Sequence, residues 1–390
     1  MLKKLLILLV GVVALILVAL VAAVKMLPDL VGEGLNPVKS EEPLVVSDRA
    51  RALHSTLFIA DLHAETLLWK RDLLARSTWG QVDLPRLGEG NVAWQNFAVV
   101  TRTPRGIAPE RNEVGPDQVA ILALTGLWPT ETWRHLPERA LYQAELLRDA
   151  AVRSSGRLVL IRDRADIENF LARRRTDPKV VAGMLGLVGG YPLGPGAENL
   201  DRLYDAGYRM IGLTTAGDES PERYTNFTPE GRLTEAGLAL VRRSGEKRML
   251  FDLAYHPPAL IDEVAAASSR PIIVSNTGAR EFCQAGRALD DSRLKTIAAS
   301  RGLVGIGFSS SVICGGGPTD IALSIRYAVD LIGADHVALG SGFDSVGTMP
   351  FDSGNLVRLT EALLRKGLTE DQIRKVMGGN VLRFYRENLP

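Results

Sequence analysis

Short apolar runs alternate with longer amphipathic stretches along most of the chain. Several runs are continuously apolar, which is typical of strands buried on both faces of a parallel sheet. Segments 234–243 and 320–332 between them place apolar residues at helical spacing. The eight strand-like runs are residues 57–61, 92–100, 181–188, 209–214, 249–253, 272–275, 303–308 and 337–340. Strand and helix repeated in this way predict an α/β fold of the (β/α)8 TIM-barrel type.

A long stretch separates the second and third of these runs. It covers about residues 102–179, and we expect it to be an insertion in the barrel. One further short apolar run, residues 158–161, predicts an accessory strand within it. The barrel domain with its insertion is therefore expected to occupy residues 49–390.

The first 25 residues carry a different signal. Lys3 and Lys4 precede an unbroken apolar run of 20 residues, 5–24, which is long enough to span a bilayer as one helix. The excess of positive charge before the run predicts a single-pass membrane protein with a cytoplasmic N-terminus and an extracytoplasmic barrel. A cleaved signal peptide is the alternative, although the run is longer than a usual signal core. Residues 26–48, with their Pro and Gly, predict a linker.

The amino-acid composition limits the classes of function that the protein can have. Hydrophobic residues make up 46% of the 390 residues and charged residues 23%, as in ordinary globular domains. A net charge of +1 gives no reason to expect a nucleic-acid partner. The two cysteines, Cys283 and Cys314, form neither a disulfide framework nor a CxxC metal motif. We expect buried free thiols, with pairing in an oxidising compartment as the alternative.

Candidate chemistry begins where the first strand is expected to end. The segment Asp61-Leu62-His63-Ala64-Glu65 has the D-x-H-x-[D/E] pattern with which many metal-dependent hydrolases begin. Alternate residues of a strand point to the same side, so His63 and Glu65 can face one pocket. An imidazole and a carboxylate suit zinc, but a catalytic zinc normally has three protein ligands.

This motif is the first of an ordered series that resembles the membrane dipeptidase (renal dipeptidase) family of zinc peptidases. The series covers most of the chain after residue 57. Its members are residues 61–65 for D-G-H-N-D, 82–87 for T-D-L-P-R-L, 186–190 for G-I-E-G-G, 203–209 for L-Y-x-L-G-V-R, 233–237 for L-T-x-x-G, 251–254 for I-D-L-S, 340–344 for G-S-D-F-D and 378–383 for G-x-N-x-x-R.

The resemblance implies a hydrolase of dipeptides that holds two zinc ions in the mouth of a barrel. In the family, the first strand supplies a His and an acidic residue, the third a bridging Glu, the fifth and sixth one His each, and the eighth an Asp. The matching positions here are, in that order, His63, Glu65, Val188, Tyr255, Asn276 and Gly342.

The resemblance also implies positions that contact the substrate. Thr215 stands where the family has a substrate-contacting His, and Arg287 matches the Arg that holds the substrate carboxylate. Arg287 could instead pair with a neighbouring aspartate. Tyr191 is a further candidate for the pocket. Asp344 is a candidate proton acceptor, with an ion-pair or turn role as the alternative.

The replacements at the metal positions change the expected chemistry. Val188 has no lone pair with which to bridge two cations, and Tyr255 and Asn276 are poor zinc ligands compared with imidazole. His256 would point away from the pocket on a regular strand, although a bulge could re-aim it. The sequence therefore predicts a degenerate zinc site, with His63 and Glu65 as its remnant and no bound cofactor.

Two functions fit these observations. The first is a membrane-anchored, catalytically impaired dipeptidase-family barrel, a pseudoenzyme that binds a small molecule or dipeptide-like ligand. The second is an active hydrolase with a reduced site, in which His63, Glu65 and an unrecognised third ligand hold one zinc. Neither reading predicts a particular protein partner.

Overall fold

Nine strands form one parallel sheet within the part of the chain that the structure describes. This structure is a computed structural model and describes residues 2–39, 43–103, 117–194, 197–213, 226–228, 230–284 and 288–390, without the side chains of residues 2, 5 and 17–25. The strands are β1 (Ile59–Ala64), β2 (Val92–Val100), β3 (Leu158–Leu160), β4 (Val181–Val188), β5 (Tyr208–Ile211), β6 (Leu250–Asp252), β7 (Ile272–Thr277), β8 (Leu303–Ile306) and β9 (Val337–Leu339).

The sheet closes into a barrel of eight strands. Its order is β2-β1-β9-β8-β7-β6-β5-β4-β3, and β2 also pairs with β4 along its length. The strand β3 pairs only with the first residues of β4, while β5 pairs further along that strand. The predicted (β/α)8 barrel is therefore confirmed, and β3 is the accessory strand that residues 158–161 predicted.

Helices follow the strands around the barrel. The described α-helices are α1 (Leu2–Leu35), α2 (Asp48–Ser55), α3 (Leu84–Glu89), α4 (Gln118–Thr125), α5 (Leu136–Arg153), α6 (Arg164–Thr176), α7 (Leu200–Asp205), α8 (Glu235–Glu246), α9 (Pro258–Ala267), α10 (Asp291–Ala299), α11 (Pro318–Ile332), α12 (Val357–Arg365), α13 (Glu370–Arg374) and α14 (Asn380–Asn388). Side-chain caps start many of them: the Asp163, Thr234 and Asp290 side chains accept from backbone N–H groups of α6, α8 and α10.

Neighbouring strands approach one another closely inside the barrel. A Cβ atom at Gly305 would lie 2.2 Å from the Ser275 carbonyl oxygen, and one at Gly340 would lie 1.8 Å from it. Only glycine fits such contacts. Trp94 and Met210 are buried in the cluster that fills this interior. The C-terminal strand ends around Ser275 are consequently drawn together at the mouth.

The first strand ends later than its apolar pattern predicts. The sequence predicts a strand over residues 57–61, whereas β1 runs from Ile59 to Ala64. The reason is that Asp61 and His63 are satisfied inside the barrel by hydrogen bonds, so polarity does not end the strand here.

The N-terminal helix continues into the segment that the sequence predicts to be a linker. It runs to Leu35 and carries Pro28 within it. Beyond it, Val38 forms a parallel bridge with Met349, and the Asn36 side chain accepts from the Val346 N–H. In the described parts of the chain, no helix reaches the combination of length and apolar character that crossing a membrane requires.

The two cysteines form a disulfide. Cys283 and Cys314 have sulfur atoms 2.06 Å apart. They join the connection after β7 to the connection after β8, both at the mouth of the barrel. The expectation of buried free thiols is therefore wrong, because the barrel brings together two loops that are 31 residues apart in sequence.

Candidate functional site

His63 lies buried near the end of β1, and its Nδ1 atom is fixed by a two-step hydrogen-bond relay. Nδ1 is 2.8 Å from the Ser275 hydroxyl oxygen, and that hydroxyl donates to the Asp252 carboxylate over 2.5 Å. Because the serine proton goes to the aspartate, His63 donates from Nδ1 to the serine oxygen. The lone pair of His63 is then on Nε2.

Two side chains meet at the Nε2 atom of His63. The Tyr255 hydroxyl and the Glu65 carboxylate oxygen each lie 3.2 Å from it. With the lone pair on Nε2, the Tyr255 hydroxyl is the donor. The rings of His63 and Tyr255 pack edge to face, with centroids 5.4 Å apart. The atom through which His63 would bind a cation is therefore engaged by Tyr255, at the position where the resemblance implies a histidine.

The backbone conformation of Tyr255 is unusual. Its φ is +67°, in the left-handed region that non-glycine residues rarely adopt. Such a conformation costs about 1–3 kcal/mol and persists only where the surroundings hold it. β6 ends at Asp252, three residues earlier, so the turn carries Tyr255 toward His63. Strained residues of this kind cluster at functional sites.

Asn276 and Gly342, at two further positions where the resemblance implies metal ligands, face each other. The Asn276 amide donates to the Gly340 carbonyl over 2.6 Å. Gly342 has φ +71°, and a Cβ atom there would lie 2.7 Å from the Asn276 amide nitrogen. An acidic residue at position 342 would therefore have a strained backbone, and its Cβ atom would clash with the Asn276 amide.

Val188 and Tyr191, at the end of β4, make other contacts. Val188 packs against an apolar cluster that includes Leu68, Trp69 and Val100. The Tyr191 ring lies 5.8 Å beneath the Arg102 guanidinium. Position 188 thus supplies apolar surface where the resemblance implies a bridging carboxylate.

Asp344 is buried in a set of contacts of its own. One carboxylate oxygen accepts from the Thr66 hydroxyl at 2.8 Å and from Arg71 at 2.7 Å, and the other accepts from the Gln81 N–H at 2.8 Å. Its φ is +59°. The structure thus gives Asp344 the ion-pair and turn role, with both oxygens committed to structural donors.

His256 is held by backbone groups. Its Nδ1 lies 2.8 Å from the Ala254 carbonyl oxygen, and its Nε2 lies 2.8 Å from the Leu213 carbonyl oxygen. These contacts tie the connection after β6 to the segment after β5. The described contacts therefore make His256 a link between strand ends.

The Asp61 carboxylate joins neighbouring segments of the barrel through buried hydrogen bonds. Its carboxylate accepts from the Gln95 amide and from the Ser341 N–H and hydroxyl, each over 2.7 Å. Burial raises the pKa of Asp61, and these hydrogen bonds oppose that rise. The acidic residue of the motif thus joins β1 to β2 and to the segment after β9.

Asp252 and Ser275, which orient His63, are not among the site residues predicted from the sequence. The available signal was a charged residue at the end of an apolar run, in Phe251-Asp252-Leu253, since a buried carboxylate must be hydrogen-bonded. Thr215 and Arg287, two of the predicted substrate positions, lie outside the described residues.

The residues at the mouth do not fit a pair of zinc ions. His63 and Glu65 supply one nitrogen and one carboxylate, while Val188, Tyr255 and Asn276 supply no further imidazole or carboxylate. Across the described residues, no three His, Cys, Asp or Glu side chains are grouped so that they could hold a metal ion.

A closed parallel barrel with its polar cluster at the C-terminal strand ends places the protein among TIM-barrel proteins. Residues 47–389 match the family model of membrane dipeptidase (Peptidase family M19), and the chain belongs to this family.

Named relatives agree with this assignment. Dipeptidase aclJ of Aspergillus oryzae is 27% identical over 78% of this chain and 69% of its own length. The crystal structure of dipeptidase AC, a metallo peptidase of family M19, is 25% identical with a TM-score of 0.67, over 86% of this chain and 99% of that one. A Rhodobacter sphaeroides metallo peptidase, liganded with a phosphinate mimic of L-Ala-D-Ala, has 23% identity and a TM-score of 0.66 over 86% of this chain and 100% of that one, and shows the fold alone.

Proposed function

We propose that this protein is a catalytically impaired member of the membrane dipeptidase family that binds a small dipeptide-like ligand at the barrel mouth without a pair of zinc ions. The observation that carries the proposal is the hydrogen-bond cluster around His63. Both ring nitrogens are engaged, Nδ1 by the Ser275 hydroxyl and Nε2 by the Tyr255 hydroxyl. Direct hydrogen bonds thus satisfy both ring nitrogens of His63, including the one through which it would bind a metal.

A dipeptide-like ligand is the class that the family makes most reasonable. The Rhodobacter sphaeroides relative was crystallised with a dipeptide mimic. In this chain, Arg287 keeps the family position for holding a substrate carboxylate, and a guanidinium binds a carboxylate through two parallel hydrogen bonds. The ligand carboxylate would then be held even though the hydrolytic metals are not.

One observation favours a second function, a hydrolase with a single metal. In metal sites, a ligating histidine usually donates its other ring N–H to an oriented partner. The Asp252–Ser275 relay does this for His63, and Glu65 lies beside the other ring nitrogen, Nε2. A single cation held there would need at least one ligand beyond these two.

The apolar run at residues 5–24 supports a further part of the proposal, a single-pass anchor with the barrel on the extracytoplasmic side. The Cys283–Cys314 disulfide is consistent with this placement, because disulfides persist in oxidising compartments.

Calorimetric titration of the full chain with L-Ala-D-Ala, in detergent and with a chelator present, tests the proposal. We expect saturable binding without hydrolysis, and loss of binding in Arg287→Ala. Arg232→Ala, a substitution at an exposed arginine, is the matched control. Absence of binding would contradict the ligand proposal. Hydrolysis that requires added zinc and is lost in both His63→Ala and Glu65→Ala would establish the second function instead.

A further inference from the structure

The helix α4 presents apolar side chains to its surroundings. Ile121 is 52% exposed, Leu124 is 50% exposed, and Leu127 in the turn that follows is 51% exposed. Ile121 and Leu124 are three residues apart and therefore share one helix face. Single exposed apolar residues are normal, but several together mark an interaction surface. These three residues define the α4 surface.

The α4 surface lies beside the C-terminal part of α1. Pro28 and Asp29 of α1 line one cavity of about 310 Å³ together with Leu122, Thr125 and Leu127. The α1 residues Met26 and Leu30 are themselves 59% and 61% exposed. Apolar surface therefore continues from α1 onto α4.

The distance along α1 from the apolar run to Pro28 gives the depth of the α4 surface in the bilayer, if the proposed anchor spans it. The apolar run ends at Val24, and Pro28 follows four residues later in the same helix. Four residues of α-helix rise about 6 Å. The headgroup layer on each side of a bilayer is about 5–8 Å thick. A helix packed beside Pro28 therefore lies at headgroup depth if residues 5–24 span the hydrocarbon.

We propose that the α4 surface docks on the lipid bilayer and holds the barrel mouth against the membrane. This inference rests on the proposed anchor. In the chain, α4 follows β2, which ends at Val100, and precedes the long helix α5. It therefore lies near the end of the barrel at which the His63 cluster lies. Ligands would then reach the mouth from the membrane surface.

Depth-dependent fluorescence quenching in the full chain tests this inference. Leu124→Cys, labelled with an environment-sensitive fluorophore, would be placed in phosphatidylcholine nanodiscs with and without lipids that carry a quencher near the headgroup. The native cysteines are paired, so the introduced thiol is the one that reacts. Ile121→Cys repeats the measurement at a second position in case the first variant folds poorly.

Val152→Cys is the matched control. Val152 is also apolar and is 78% exposed. It lies in the last turn of α5, about 24 Å along that helix from Leu136. α5 leads to β3, which pairs with the first residues of β4, so Val152 lies toward the end of the barrel opposite the mouth. Leu9→Cys, within the apolar run, reports on the anchor itself, with a quencher deep in the acyl chains.

The inference predicts quenching at Leu124 and Ile121 several-fold stronger than at Val152. Quenching of the deep probe at Leu9 with no excess at positions 121 and 124 would overturn the docking of α4 while leaving the anchor in place. No quenching at Leu9 would overturn the anchor and the docking together. Neither result bears on ligand binding, which the calorimetric titration measures separately.

Discussion

At the scale of single residues, the described part of the barrel mouth holds a chain of buried hydrogen bonds that passes through His63. Asp252 accepts from Ser275, Ser275 accepts from His63, and His63 accepts from Tyr255. Each member orients the next because a buried donor or acceptor without a partner loses the free energy of its hydration. The network therefore gives His63 a fixed position.

Removal of the Ser275 hydroxyl tests the relay. Ser275→Ala leaves the Asp252 carboxylate oxygen and the His63 Nδ1–H without this partner, and we expect the free energy of unfolding to fall by about 1–3 kcal/mol. Urea unfolding followed by circular dichroism measures the change. Ser55→Ala, which removes an exposed hydroxyl, is the control and should change the stability by less than about 0.5 kcal/mol. Equal stability of the two variants would show that the relay contributes nothing.

The buried His54 ring leads to a second prediction at the scale of single residues. Its ring is buried, with Nδ1 2.9 Å from the Thr360 hydroxyl and Nε2 3.1 Å from the Gly90 carbonyl oxygen. Burial lowers the pKa of His54 from 6.5 to about 4, and the hydrogen bond to Gly90 opposes this shift. The folded protein therefore keeps His54 neutral over a pH range in which the unfolded chain protonates it.

The stability should accordingly depend on pH. Between pH 6.5 and about 4 the unfolded state binds the extra proton, so the His54 contribution is complete above pH 6.5 and is lost as the pH falls toward 4. The loss is about 3 kcal/mol at the acid end. Urea unfolding at several pH values would measure it. In His54→Gln, which cannot titrate, the slope over this range should be smaller, and an unchanged slope would contradict the assignment.

At the scale of elements, the loops around the mouth are tied to one another by buried polar contacts. Asp344, after β9, accepts from Arg71 and from Gln81, which both follow β1. The Gln81 amide in turn donates to the Asn36 carbonyl, just beyond α1. The N-terminal helix is thereby connected to the mouth through Asp344.

Asp344→Ala should loosen this connection. It leaves the Arg71 guanidinium buried without its carboxylate, which costs about 3–5 kcal/mol of stability. Asp330→Ala is the matched control, because Asp330 forms an exposed ion pair with Arg326 whose loss costs about 0–1 kcal/mol. Thermal unfolding of both variants gives the comparison. A drop for Asp344→Ala as small as that of the control would contradict the structural role of Asp344.

Element by element, the sequence predicted most of the barrel and less of its connections. The apolar runs located all eight barrel strands, because strands buried on both faces must be apolar almost throughout. The end of β1 was missed, since His63 is polar and yet satisfied within the sheet. The extension of α1 was missed because Pro28 suggested a break, although a helix can continue past a proline that removes only one hydrogen bond.

At the scale of the whole molecule, the chain is a closed barrel of the membrane dipeptidase family. The sequence predicts that the metal positions of this family are altered here, because each is a single residue at a given place in an ordered motif of the resemblance. It could not show what the replacements do. The contact of the Tyr255 hydroxyl with His63 depends on a left-handed residue in a loop, and no residue-type pattern encodes it.

The zinc content of the purified full chain tests this account most directly. After equilibration with zinc and removal of the excess, elemental analysis of the natural protein should find no stoichiometric zinc. The variant Val188→Glu/Tyr255→His/Asn276→His, which restores the carboxylate and the two imidazoles, should gain bound zinc, and adding His63→Ala to it should remove that gain. Two tightly held zinc ions per chain in the natural protein would contradict the account.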